Sequence, residues 1–119
     1  MKTKNKVISL AVLFLILFWI GNSIYSYYFV PGVLDDFAKC ISQKGAVMYG
    51  AMDWCKFTQQ QRVMFGKSFK YVTYKEYGEF PKEKGTIRST PSWIIENQVY
   101  EKVQSFERLS HLTGCELPK

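Results

Sequence analysis

The chain has 119 residues and a formal net charge of +6, enough for one small domain and little else. Lys2, Lys4 and Lys6 supply half of that charge. From position 31 onward thirteen basic residues face ten acidic ones, a net of +3, too weak and too dispersed to argue for nucleic acid as a partner.

No charged residue occurs from Val7 to Val30. A helix of that length rises about 36 Å, enough to cross a hydrocarbon core of about 30 Å. Val7 to Ile20 is strongly apolar, and Tyr25, Tyr27, Tyr28 and Phe29 supply the aromatic residues expected at a membrane–water interface. Pro31-Gly32 ends the run. Residues 1–6 then form a basic cytoplasmic tail and 7–30 a single-pass anchor in the cell membrane. Residues 33–119 form an extracytoplasmic domain, because lysines hold their end of a span in the cytoplasm. A cleaved signal peptide is the rival reading, with Gly21 and Ser23 as the small residues near its cleavage site. Both place the domain in an oxidising compartment.

Beyond the span, Val33 to Lys44 reads as a helix with Leu34, Phe37, Ala38 and Ile41 on one stripe. Asp35 and Asp36 suit its first turn, Lys44 its last, and Gly45 its C′ position. Ala46 to Ala51 reads as a buried strand and Phe57 to Phe65 as a second helix, with Val63, Met64 and Phe65 its buried end. Phe69 to Tyr74 is rich in aromatic and β-branched residues and reads as a strand. Tyr74 to Arg88, interrupted by Gly78, Pro81 and Gly85, reads as a solvated loop with one short helical turn. Trp93–Glu96 and Val99–Val103 form a hairpin about Asn97-Gln98. Ser105 caps a last helix carrying Phe106, Leu109 and Leu112, which Gly114 ends. A strand–helix–strand unit is parallel; the hairpin and closing helix complete a mixed sheet covered by helices.

The chemistry centres on the stretch from Met48 to Gln61. Cys55 lies between the end of a strand and the start of a helix, where peptide N–H groups favour a thiolate. A dithiol redox site needs Cys-x-x-Cys, and here the fourth position is Thr58. Lys56 would favour the thiolate and Asp53 oppose it. Cys40 and Cys115 are the other cysteines, and an odd count outside the cytoplasm leaves at least one unpaired within the chain. His111 has no partner at ligand spacing, so no metal site is expected, and no motif calls for a cofactor.

Several segments carry a resemblance. Phe37-Ala38-Lys39-Cys40, Met48-Tyr49-Gly50-Ala51 with Trp54-Cys55, Gln59 to Gly66, Thr90-Pro91-Ser92-Trp93, Val103 to Glu107 and Leu112-Thr113-Gly114-Cys115 follow one another in the order of a known family. They resemble the thioredoxin-like domain associated with bacterial vitamin K epoxide reductase homologues, over nearly all of residues 34–115. The resemblance implies an α/β thioredoxin-like fold, with a mixed sheet flanked by helices, preceded here by one transmembrane helix. It also implies an extracytoplasmic thiol–disulfide oxidoreductase acting on protein or small-molecule thiols and disulfides, with a membrane redox partner such as a quinone-linked reductase. Cys55 matches the nucleophile and Pro91 the cis-proline facing it, with Thr90 offering its backbone to a substrate. Trp54 and Trp93 would line the same groove, or simply pack in the core. Cys40 and Cys115 match family cysteines; the alternatives are a disulfide between them and two separate free or buried thiols. In this family's fold the first and last helices are expected on opposite faces of the sheet, so a bond would have to pass around an edge.

The sequence departs from the family in three places. Thr58 replaces the resolving cysteine, the loop at Met52-Asp53-Trp54 is one residue longer, and further cysteines, one near Tyr77, are absent. Without a resolving thiol Cys55 can attack a disulfide but cannot release the mixed disulfide internally. Two functions follow: monothiol exchange through Cys55, as an oxidoreductase or isomerase, or a redox-inactive module that binds peptides at Thr90-Pro91.

Overall fold

The computed structural model describes residues 2–119 and divides into two compact units that meet at Pro31 and Gly32. The first is one helix, α1 (Lys2–Phe29), with no buried residue. It is long and apolar enough to cross a membrane.

In the second unit, α2 (Asp35–Gln43) is followed by β1 (Val47–Gly50) and α3 (Lys56–Phe65). Next come a 3₁₀ segment at Gly66–Tyr71 and β2 (Thr73–Glu76). Two 3₁₀ turns at Tyr77–Glu79 and Lys82–Lys84 lead to β3 (Ser92–Ile95), β4 (Gln98–Glu101) and α4 (Phe106–Thr113). The strands lie in the order β2-β1-β3-β4. The β1/β2 pair, bridged by α3, is parallel, whereas β1/β3 and β3/β4 are antiparallel. The chain is therefore a mixed α/β protein with a four-stranded mixed sheet.

Register decides what each face holds. Met48 pairs with Trp93 and Tyr49 with Ser92, so alternation sends Met48, Trp93 and Ile95 to one face and Tyr49 and Ser92 to the other. The first face meets Phe37 and Ile41 of α2, Phe65 of α3 and Leu109 of α4 in one buried cluster. Each such side chain contributes roughly 1.5–3 kcal/mol by leaving water. The ring of Phe37 lies 5.9 Å from Phe106 and 6.5 Å from Phe65, and Phe65 lies 5.0 Å from Phe106. All three helices thus share one face, which corrects the expectation that the first and last lie on opposite sides. The Tyr49 face is covered by the irregular segment after β2, with Phe80 edge-on to Tyr49 at 5.2 Å.

Because α2 and α4 are neighbours, Cys40 and Cys115 join directly in a disulfide, with a Cα–Cα distance of 5.9 Å across a sequence separation of 75. No edge has to be crossed. The N-terminal end of α2 is tied down by Asp35, whose carboxylate accepts from Gly32 N–H at 2.9 Å and from the Ser68 hydroxyl at 2.7 Å. Gly32 is required there, since a Cβ would stand 2.5 Å from Ser68 Oγ.

Three local expectations change. Phe69 to Tyr71 is 3₁₀ rather than strand: Phe69 and Tyr71 pack against the core, and Ser42 Oγ holds the exit by donating to Tyr71 O at 2.5 Å and accepting from Thr73 N–H at 3.2 Å. Extended pairing starts only at Thr73. The hairpin turns on Glu96-Asn97, both at positive φ (49° and 69°), one residue before the expected Asn97-Gln98; two such residues give the twist that a tight hairpin needs. In α3 the buried positions are Thr58, Gln61 and Phe65, and Val63 is exposed.

Candidate functional site

The site grows from the end of β1. Ala51 O accepts N–H bonds from Trp54 at 3.3 Å and Cys55 at 2.9 Å, which curls the loop back on itself and sets Cys55 at the N-cap of α3. Three further bonds fix this curl. Thr58 Oγ1 accepts from Ala51 N–H at 3.2 Å, Tyr74 Oη accepts from Met52 N–H at 3.1 Å, and Gln59 Nε2 donates to Met52 O at 2.9 Å. The Tyr74 hydroxyl passes its proton side to Glu76 at 2.9 Å. Burial, the bond to Glu76 and its charge push that phenol up to about 12, so it is a fixed neutral donor at ordinary pH.

Cys55 is 8% exposed and is the free cysteine of the chain among the described residues. Facing it is the cis Thr90–Pro91 bond. The Thr90 hydroxyl donates to Cys55 Sγ at 2.9 Å, and the thiol can donate to Thr90 O at 3.4 Å. Burial alone would raise the thiol. It is outweighed by hydrogen bonds from the side chains of Thr58 and Thr90 and from the backbone N–H groups of Thr58 and Phe57, which bring it from the usual 9.0 down to about 7. Hydrogen bonds to the thiolate, rather than the charges of Asp53 and Lys56, dominate this balance.

Thr58 is fully buried. Its oxygen accepts from Ala51 N–H, and the residue is among those whose hydrogen bonding lowers the Cys55 thiol. The space for it is made by Gly50, where a Cβ would lie 2.5 Å from Thr58 Cγ2 and 2.9 Å from Oγ1.

Beside the thiol runs a groove of about 470 Å³, lined by Phe57, Gln60, Ser89, Thr90, Lys102 and Val103. Phe57 is 63% exposed at its mouth. Ser89 Oγ is closed to solvent and has no hydrogen-bond partner within the protein. Lys102, at φ 75°, donates its N–H to Pro91 O at 2.8 Å and so ties the groove's far wall to the proline.

The structure brings Cys55, Thr58, Thr90 and Pro91 together. The two tryptophans divide. Trp54 is 66% exposed beside the thiol and edge-on to Tyr77 at 5.9 Å. Trp93 is fully buried and lines no groove; it packs on Phe65 and donates Nε1–H to Gln61 Oε1 at 3.2 Å. Of the two readings of Trp93, its burial favours core packing. The cause is register: opposite Met48, it points into the helix-covered face.

Two residues escaped the reading of the sequence. Tyr74 falls where the expected strand Phe69–Tyr74 gives way to the expected loop, yet it anchors the cysteine loop. Gln61 is a fully buried amide that satisfies four groups: Oε1 accepts from Trp93 Nε1 and from Gln104 N–H at 2.7 Å, and Nε2 donates to Gln104 O at 3.1 Å and to Met64 Sδ at 3.6 Å. Its signal was positional, since Thr58, Gln61 and Phe65 recur on one helical face. Among the described residues no cluster of His, Cys, Asp or Glu is arranged to hold a metal, and His111 is exposed on α4.

The thiol–disulfide oxidoreductase LTO1 of Arabidopsis thaliana is 33% identical over 91 residues, which cover 67% of this chain. The chain spans only 24% of that protein's length. No family model matches the chain. The likeness supports a thioredoxin-like redox family, and with the apolar N-terminal helix it fits a membrane-anchored redox protein.

Proposed function

We propose that this is a single-pass membrane protein whose thioredoxin-like domain, residues 33–119, lies outside the cytoplasm and carries out thiol–disulfide exchange through Cys55 alone. The observation that carries the reading is the sulfur of Cys55, held at a helix start with the Thr90 hydroxyl donating to it at 2.9 Å and acidified to about 7. About half of such a thiol is thiolate at neutral pH, the form that attacks disulfides. Thr90-Pro91 and the adjoining groove, with Trp54 at its approach, supply a place for the substrate chain beside the sulfur. The thiolate attacks a substrate disulfide, one sulfur joins Cys55, and the other leaves as a thiolate.

Lys2, Lys4 and Lys6 before the span support a cytoplasmic N-terminus in the cell membrane. The likeness to an oxidoreductase, and the resemblance to domains that serve vitamin K epoxide reductase homologues, support a quinone-linked membrane reductase as redox partner.

The test is the pH dependence of Cys55 alkylation, combined with trapping of mixed disulfides by the wild-type chain and a Cys55→Ser variant. A midpoint near 7 and adducts lost in the variant are expected. A midpoint at or above about 8.5, the value of a free thiol, with no adducts would overturn the enzymatic reading. Cys55 is not among the residues that line the groove. Peptide binding retained by Cys55→Ser, in the absence of any wild-type adduct, would therefore identify a redox-inactive binding module.

A further inference from the structure

The groove near Cys55 has an uneven lining. Phe57 and Val103 are apolar, Gln60 is a neutral amide, and Lys102 is the charged residue among them; no carboxylate lines it. Glu101, the acid next to Lys102 in sequence, lines a separate cavity with Phe80 and Arg88. It pairs with Ser92, so alternation places it on the Tyr49 face of the sheet. The Lys102 ammonium makes no hydrogen bond or ion pair with any described residue. The backbone at Lys102 is, by contrast, held at each polar group. Its N–H donates to Pro91 O at 2.8 Å. Its carbonyl accepts from Gln104 Nε2 at 3.2 Å, which also donates to Glu101 O at 2.8 Å. Gln104 is in turn bonded through its N–H and C=O to the buried Gln61 amide, at 2.7 Å and 3.1 Å. Lys102 also sits at φ 75°, in the left-handed region that favours glycine. A glycine would make the same backbone bonds with less strain, so the fold does not call for a side chain here. What the side chain adds is a positive charge in the groove, set out from a fixed point. That point is bonded to Pro91, the neighbour of Thr90, whose hydroxyl donates to Cys55 Sγ at 2.9 Å.

Resting on the thiol-exchange reading above, we infer that Lys102 is a specificity-determining residue: the groove selects polypeptide disulfides with an aspartate or glutamate within about three residues of the reacting cysteine. An extended chain advances about 3.3 Å per residue. A segment whose sulfur meets Cys55 beside Thr90 therefore brings a side chain two or three places on, about 7–10 Å away, over Lys102. Phe57, 63% exposed, and Val103 meet the apolar parts of the same segment. The pair forms in a groove partly shielded from water, where opposite charges attract more strongly than on an open surface. The bonds made and broken at sulfur are those of the exchange already described. Lys102 acts on which chain arrives and not on the exchange itself.

The test uses the full chain in an uncharged detergent at low ionic strength. Symmetric disulfides of short peptides, alike except for Glu or Lys two residues from the cysteine, are mixed with the reduced protein. Samples are quenched in acid and the mixed disulfides measured by mass. The Glu peptide's rate divided by the Lys peptide's is compared between variants, which cancels the intrinsic reactivity of each peptide. That ratio should fall roughly fivefold or more in Lys102→Gln. Lys102→Gly, which suits φ 75° and keeps the backbone bonds, should lose it equally. Lys82→Gln, the same change of charge outside the groove, should leave it within about twofold. Dithiodipropionate, an anionic disulfide with no peptide chain, should react with the wild type and Lys102→Gln at rates within about twofold of each other. A ratio unchanged in Lys102→Gln or Lys102→Gly, or an equal fall in Lys82→Gln, overturns the inference while leaving the thiol-exchange reading intact. A fivefold loss with dithiodipropionate would show selection of small anions rather than of polypeptides, and overturns it as well. If no peptide forms an adduct with the wild type, both readings fail.

Discussion

Replacing Thr90 with valine removes the hydroxyl that donates to Cys55 Sγ at 2.9 Å and keeps the side chain's shape. Hydrogen bonds to charged groups contribute about 1.5–3 kcal/mol, and each pKa unit corresponds to about 1.4 kcal/mol. The thiol should therefore rise from about 7 by roughly one to two units, toward the range of an ordinary cysteine. At pH 7 the thiolate fraction falls from about one half to about a tenth or a hundredth, so iodoacetamide should react roughly 5- to 50-fold more slowly. At pH 10, where both proteins are thiolate, the rates should converge. A full pH profile separates this from blocked access, which would lower the rate equally at every pH. An unmoved midpoint in Thr90→Val would refute the argument that hydrogen bonds, and not burial or flanking charge, set the acidity of Cys55.

Further outcomes follow from the same structure. In Gln61→Leu, Trp93 Nε1–H and Gln104 N–H lose their acceptor, and thermal melting should show a loss of roughly 2–4 kcal/mol. A double Cys40→Ser, Cys115→Ser variant opens a loop of 75 residues and should lose roughly 4 kcal/mol on the chain-entropy account, seen as a lower midpoint in the same assay. The Asp35 carboxyl is raised by burial but lowered more by Ser68, Gly32 N–H, Lys70 and Lys39, so it sits below the usual 3.8. Its contribution to stability is complete above that value and is lost as pH falls through the depressed one. Asp35→Asn should thus be less stable at neutral pH, by roughly 1–3 kcal/mol. It should also show a shallower loss of stability on acidification below about pH 4, measured by melting across pH.

The order of elements was legible because each apolar stripe had one period and one cap. Leu34, Phe37, Ala38 and Ile41 marked α2, and Ser105 with Gly114 bracketed α4, where Ser105 Oγ accepts from Arg108 N–H at 3.1 Å and Gly114 adopts φ 77°. Cys55 and Thr58 were visible as a spacing. Their state was not, because it depends on Thr90, which lies 35 residues away and is brought close only by the sheet. Phe69 to Tyr71 misled because aromatic residues suit a strand and a packed 3₁₀ turn equally well; long-range bonds from Ser42 settle the choice. Trp93 stayed open between groove and core because adjacency to Pro91 in sequence says nothing about which face of β3 a side chain joins. Gln61 was hidden by its polarity, since a buried amide with every group satisfied reads like any surface glutamine.

Gly50 makes positions 50 and 58 inseparable in any attempt to vary this site. A side chain at 50 would start 2.5 Å from Thr58 Cγ2, so even alanine there displaces residue 58 or breaks the end of β1. A library that randomises 58 alone would recover only residues about as small as threonine. One that randomises 50 alone would recover glycine. Only joint variation, with a smaller residue at 58 making room for a Cβ at 50, would open new combinations. The identity of residue 58 is thus held in place from the strand side, by a side chain that is absent.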